Sequence, residues 1–146
     1  MHEWWSDHTT LMEVVEHYGP SIDGGDPSDH YVVLLGGRPI GFVETYLIAD
    51  YQDWEATVGA EPGAVGVDLF IADPDLTGKG LGTRLLRRFV DDVAFARPEA
   101  THCLADPDAA NTASLRMFEK AGFRVVREFT EPEDSRRHAL VRLDRP

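Results

Sequence analysis

Residues 65–96, VGVDLFIADPDLTGKGLGTRLLRRFVDDVAFA, constrain the fold more than any other stretch of the chain. Val65, Val67, Leu69 and Ile71 alternate as the residues of a strand do, and Gly78, Gly80 and Gly82 punctuate the loop that follows. Residues 80–96 then place Leu81, Leu85, Phe89 and Val93 four apart, the stripe of a helix that buries one face. A strand, a glycine-rich loop and a helix start therefore meet at one place. The first N–H groups of a helix have no partner within it and lie at the positive end of its dipole, so they suit a phosphate. Glycines let that backbone approach the ligand closely.

Two common phosphate loops do not fit. The P-loop requires a Lys-Ser/Thr pair after its last glycine and the dinucleotide fingerprint a third glycine at fixed spacing, whereas Thr83, Arg84 and Leu85 follow Gly82. Charge narrows the ligand further. The formal net charge is −12, which argues against nucleic acid and favours a cationic partner. Residues 76–90 run against this balance, with Lys79, Arg84, Arg87 and Arg88 and no acid, so an anionic cofactor would dock there.

The 146 residues suit one domain, 1–146, with one core. No run of 18 apolar residues occurs, and the opening MHEWWSDH has neither the basic start nor the apolar centre of a signal peptide, so a cytoplasmic protein without membrane contact is expected. Cys103 is the single cysteine and reads as a small buried residue rather than a nucleophile. The six histidines show no ligand pair on a common face, so no metal is expected.

In chain order, residues 9–18 carry Leu11, Val14, Val15 and Tyr18 at helical spacing. Residues 30–35 and 40–49 read as two strands of a hairpin joined through Gly36-Gly37-Arg38-Pro39, with Glu44 and Tyr46 on one face of the second. Residues 50–63 read as an irregular polar loop whose Asp53, Trp54 and Glu55 suit recognition of a cation. A strand at 102–106 ends on Asp106, a helix spans 112–121, and strands at 123–130 and 138–143 close the chain. The order is helix, three strands, helix, strand, helix, two strands. An α+β fold with a mixed, mostly antiparallel sheet and helices on both faces follows.

The loop Thr77-Gly78-Lys79-Gly80-Leu81-Gly82 resembles the acyl-CoA pyrophosphate loop of the GCN5-related N-acetyltransferases (GNAT). Residues 111–123, NTASLRMFEKAGF, resemble the same superfamily's helix after the next strand. Within it, Glu3-Trp4-Trp5, residues 41–46 (GFVETY), Gly66-Val67-Asp68 and Asp106-Pro107 are similar to aminoglycoside 6'-N-acetyltransferases, a resemblance covering nearly the whole chain. It implies acetyl-CoA as co-substrate and a small polycationic amine as acceptor. It also implies roles: Thr77, Gly78, Lys79, Gly80, Leu81, Gly82, Thr83 and Arg84 at the pyrophosphate, Leu69, Phe70 and Ile71 along the pantetheine, and Asn111 and Phe118 beside the cofactor. Asp68 is implied as the base that takes the amine proton. Trp4, Trp5, Glu44, Tyr46, Asp53, Trp54, Glu55, Asp68 and Asp106 are implied around the acceptor.

Three departures stand out. Met1 falls almost on the Trp-Trp pair, so the family's first strand and most of its first helix are expected to be missing, leaving the 30–35 edge open to a second copy or another segment. Thr77 stands where the family has Gln or Arg. Phe118 stands where many members have a tyrosine that protonates the departing thiolate, and it cannot donate a proton. A siderophore-type lysine acyltransferase and a non-catalytic acyl-CoA or drug-binding module are the alternatives.

Overall fold

A computed structural model describes residues 2–6, 11–16, 28–35, 38–71 and 80–146, with the backbone alone for 2–6, 11–16, 35 and 71. Thr77, Gly78 and Lys79 of the glycine loop, the turn residues Gly36 and Gly37, and the side chains of Trp4, Trp5 and Ile71 lie outside the described residues. The strands are β1 (His2–Ser6), β2 (Leu11–Glu16), β3 (Asp29–Leu35), β4 (Arg38–Leu47), β5 (Ala64–Ile71), β6 (His102–Ala105), β7 (Arg124–Thr130) and β8 (Arg137–Asp144). They form one sheet in the order β1-β2-β3-β4-β5-β6-β8-β7. Only β5 and β6 pair in parallel, and the long helical connection between them is the crossover that a parallel pair needs.

Three helices among the described residues, α1 (Gln52–Val58), α2 (Leu81–Asp92) and α3 (Thr112–Lys120), cover the sheet. Alternation along the strands decides which face each one meets. Val43 of β4 and Val65 and Val67 of β5 point to one side, where they pack with Leu85, Leu86, Phe89 and Val90 of α2 and Phe118 of α3. Ala64, Leu104 and Leu140 point to the other, where they pack with Val58 and Trp54 of α1. Helices therefore lie on both faces, and the α+β fold with a mostly antiparallel sheet is as expected.

The residues at 11–16 differ from expectation, forming β2 rather than part of a helix over 9–18. Leu11, Val14 and Val15 keep helical spacing, but the β-branched pair suits a strand. The outer edge of β3 decides it, because its backbone groups gain partners from Met12↔Leu35 through Glu16↔Tyr31. The expected open edge at 30–35 is thereby corrected: β2 covers it, and β1 covers β2. That edge is not open to a second copy.

Residues 50–63 also differ. They hold α1, a two-turn helix with Asp53 and Glu55 in its first turn, where acids suit the dipole, and Gly59 at its end.

Candidate active site

β5 and β6 pair only through Ala64↔His102, Val65↔Cys103 and Gly66↔Leu104. Beyond Gly66, β5 continues beside β4 to Ile71, while β6 stops at Ala105. The sheet therefore splits between two parallel neighbours, and the backbone of β5 past Gly66 faces the gap. Asp68 lies two residues past the last pair on β5, and Asp106 directly follows β6. The same split sets both carboxylates at its mouth.

The N-terminus of α2 is the second element. Gly80 is its N-cap, at φ 76°, a left-handed conformation that L side chains rarely adopt. No acid lies in the first turn, so nothing there opposes an anion. Thr83 and Arg84 belong to this turn, with Arg84 exposed. Arg87 instead donates to the Ala121 carbonyl at 2.8 Å and pairs with Asp91, and Arg88 pairs with Asp92. Those two arginines of the basic segment serve helix packing.

A cavity of about 430 Å³ opens over the split. Glu44, Tyr46, Trp54, Asp68 and Asp106, five of the residues implied around the acceptor, line it together. Asp53 and Glu55 do not line it, because helical rotation turns the neighbours of Trp54 away. Tyr51 joins from the start of α1, Ser28 from before β3, Glu131 and Glu133 from the β7–β8 turn, and His138 from the start of β8. Tyr51 belongs to the 50–63 segment whose aromatic and acidic residues suit a cation, whereas Ser28, Glu131, Glu133 and His138 did not stand out in the sequence as site residues. The visible signal for the last three is the cluster of acids at 131–134 followed by a histidine at the last strand.

Tyr46 and Gly66 are paired across β4 and β5, and the Tyr46 ring lies directly on Gly66. A Cβ at position 66 would overlap the ring, which explains the glycine in this strand. Burial, then Asp68 and Asp106, raise the Tyr46 pKa far above its usual value, so the phenol keeps its proton. The Trp54 indole acts on the Tyr46 phenol from α1 and favours its ionised form.

Asp68 is exposed into the cavity, yet the walls around it displace most of the bulk water that would stabilise its charge. That crowding, with a hydrogen bond and like charge from Glu44, raises its pKa from 3.8 to about 7. Burial and the nearby Asp68 likewise raise Asp106 to about 7, although His138 pulls the other way. Glu44 is joined on its far side by His30, whose Nε2 lies 2.9 Å from its carboxylate. Two acids that titrate near neutrality, beside a phenol that does not, can bind an ammonium group and accept its proton.

Leu69 packs partly into the core and Phe70 is 64% exposed at the split. Asn111 caps α3, its side chain accepting from the Ser114 N–H at 3.0 Å. Phe118 is buried and packs edge-on against Phe123 at 5.1 Å. Cys103 is buried in β6, and burial pushes its thiol far above the usual range, so it does not form a nucleophilic thiolate.

The split sheet, the glycine-led helix and the acids at the mouth are the arrangement of an N-acetyltransferase. The model of the "Acetyltransferase (GNAT) domain" matches residues 1–131, and the chain belongs to that family. It is similar to the aminoglycoside N(6')-acetyltransferase type 1 of Klebsiella pneumoniae, 36% identical over 136 residues, covering 90% of this chain and 66% of the relative. It is also similar to the lysine N-acyltransferase MbtK of Mycolicibacterium paratuberculosis, 34% identical over 138 residues, covering 89% of this chain and 57% of the relative. The chain thus spans about two thirds or less of the length of these two relatives. Among solved structures, the aminoglycoside acetyltransferase AAC(6')-Ib with coenzyme A and kanamycin matches at a TM-score of 0.74 and 33% identity, covering 86% of this chain and 72% of that one. None of the helices among the described residues is long and apolar enough to cross a membrane.

Proposed function

We propose that this chain is a single domain that transfers the acetyl group of acetyl-CoA to a primary amine of a small polycation, the 6'-amine of an aminoglycoside. The observation that carries this reading is the acid-lined cavity at the split. Glu44, Asp68, Asp106, Glu131 and Glu133 surround a space with no lysine or arginine among its described lining residues, beside Tyr46, Tyr51 and Trp54. Several carboxylates suit several ammonium groups, and aromatic faces suit the rest of a cationic sugar. The similarity to a 6'-N-acetyltransferase supports the same acceptor.

The residues present fit acetyl-CoA. The α2 N-terminus at Gly80, with Leu81, Gly82, Thr83 and Arg84, offers N–H groups and charge to the pyrophosphate. Leu69 and Phe70 lie on β5 beyond its last pair with β6, where the backbone groups that point away from β4 can bind the pantetheine and polarise the thioester carbonyl.

The neutral amine attacks that carbonyl, a C–N bond forms, the C–S bond breaks, and coenzyme A leaves as its thiolate. Asp68 takes the proton that the amine loses. Asp106, Glu44 and Trp54 hold the acceptor's remaining groups. Holding both substrates in register contributes roughly 7–11 kcal/mol to such a reaction, so no covalent enzyme intermediate is required.

Thiol release from acetyl-CoA with a panel of aminoglycosides, followed by mass spectrometry, tests the reading. One added acetyl group on a 6'-amino aminoglycoside, absent from its 6'-hydroxyl analogue, is the expected result. Product only with a lysine-type amine would move the acceptor to the class suggested by the MbtK relative. Coenzyme A binding without any product would leave a binding module.

A further inference from the structure

We propose that His138 is a positioning residue for this transfer, bound between Asp106 and Asp134 as an imidazolium that orients Asp106 toward the acceptor. Its kinetic consequence rests on the acetyltransferase reading, whereas its protonation state does not.

The hydrogen bonds decide the state of the ring. Nδ1 lies 2.7 Å from the Asp106 main-chain oxygen and 3.0 Å from Asp106 Oδ2, and Nε2 lies 2.8 Å from Asp134 Oδ2. A main-chain carbonyl only accepts, and so does a carboxylate. Neutral imidazole has one N–H and one lone pair, and here the lone pair would face an oxygen. Both nitrogens therefore carry hydrogen.

The surroundings agree. Burial opposes the charge, but the hydrogen bonds to Asp134 and Asp106 outweigh it and hold the pKa of His138 above its usual value. Asp134 is kept on the acidic side by the Arg136 N–H, which donates to it at 2.8 Å, and so stays a carboxylate. Glu131 and Glu133 face the same cavity from the β7–β8 turn and Tyr46 from β4, while Asp68 acts on Asp106 from β5. Arg136 is engaged with Asp108 at 2.6 Å.

The backbone fixes ring and carboxylate relative to each other. The Ala139 N–H donates to the Pro107 carbonyl at 2.9 Å, Asp108 bridges to His138, and the ring packs on Phe129 with centroids 5.9 Å apart. Asp106 Oδ2 is taken by His138, so Oδ1 is left for the acceptor. His138 is also the one cation among the described lining residues, set against five acids. Removing it leaves Asp106 buried beside Asp68 with nothing to favour its charge, and Asp106 then keeps its proton to higher pH.

Two variants and one spectrum test this. In His138→Ala the acceptor KM should rise about tenfold, the loss of one charge-assisted hydrogen bond, with kcat changed less than twofold. The acidic limb of kcat/KM should move to higher pH. His138→Asn, whose amide can donate where Nδ1 does, should recover most of the KM. Nitrogen-15 spectra of the free protein should show both His138 nitrogens protonated at neutral pH, and Asp134→Asn should shift that titration to lower pH. A neutral His138 at pH 7 would overturn the proposal, as would a folded His138→Ala with unchanged KM and pH profile. Equal losses in the Ala and Asn variants would also overturn it. The spectra need no turnover, so a protein that acetylates nothing would sink the functional reading while the imidazolium is still judged.

Discussion

Glu44 on β4 and Asp68 on β5 stand directly opposite each other across the sheet, and both line the cavity. Burial around Asp68 and the like charge of Glu44 both favour the protonated form of Asp68. This ties the base to the cross-strand register itself. The strand pair that reaches the split also raises Asp68 to about 7.

Asp68→Asn should lower kcat by roughly 10²- to 10⁴-fold, the usual contribution of a general base. Asp106→Asn should instead raise the acceptor KM more than it lowers kcat, because its role is binding. Steady-state kinetics on folded variants separates the two. Unchanged turnover in Asp68→Asn would remove Asp68 from the mechanism.

The rate should depend on pH through the same acids. With Asp68 and Asp106 both raised to about 7, kcat/KM should rise across the neutral range as they ionise. Glu44→Gln removes a like charge from Asp68, lowers its pKa and should move the acidic limb to lower pH. An unshifted limb in that variant would mean that another group controls it.

Stability should run the other way. Unfolded, both acids ionise near 3.8, and folded near 7, so between those values the folded protein holds more protons. Their contribution is fully present below the unfolded value and is lost as pH rises through about 7. Thermal unfolding between pH 5 and pH 8 should show Tm falling, and falling less in the Asp68→Asn, Asp106→Asn double variant. Equal slopes would show that neither acid is shifted in the folded protein.

Gly66→Ala should destabilise the protein by about 1–3 kcal/mol, the usual cost of forcing a group into filled space, because its Cβ overlaps the Tyr46 ring. Displacing that ring also disturbs the phenol at the acceptor cavity, so the acceptor KM should rise. Chemical denaturation and kinetics on the same sample check both. A neutral effect on stability would mean that the ring moves freely.

Cys103→Ala should leave turnover within about twofold and cost about 1 kcal/mol of stability, since the thiol is a buried packing group. Loss of activity in a folded variant would require a covalent route.

The long periodic elements were legible in the sequence. Leu81, Leu85 and Phe89 mark α2 because a twelve-residue helix repeats its buried face several times. Asn111 and Gly122 bracket α3 because capping is local chemistry. Short elements were not legible in this way. Residues 11–16 carry a helical spacing over only six positions, and the edge of β3 overrode it by pairing with them. The seven residues of α1 are too few to repeat a pattern and form by packing Val58 and Trp54 on the sheet.

By itself the sequence carried the strand at 64–71, the helix that opens at Leu81 and the family, because these depend on residue type and close spacing, and it was the family resemblance that implied Asp68 and Asp106. Tertiary structure alone decided the covered β3 edge, the absence of Asp53 and Glu55 from the cavity lining, and the placing of His138 against Asp106. Those two residues are 32 positions apart, and they meet because β6 and β8 pair antiparallel with Ala105 opposite Val141. Such register is set by backbone hydrogen bonds and the packed faces of a whole sheet, which no local pattern encodes.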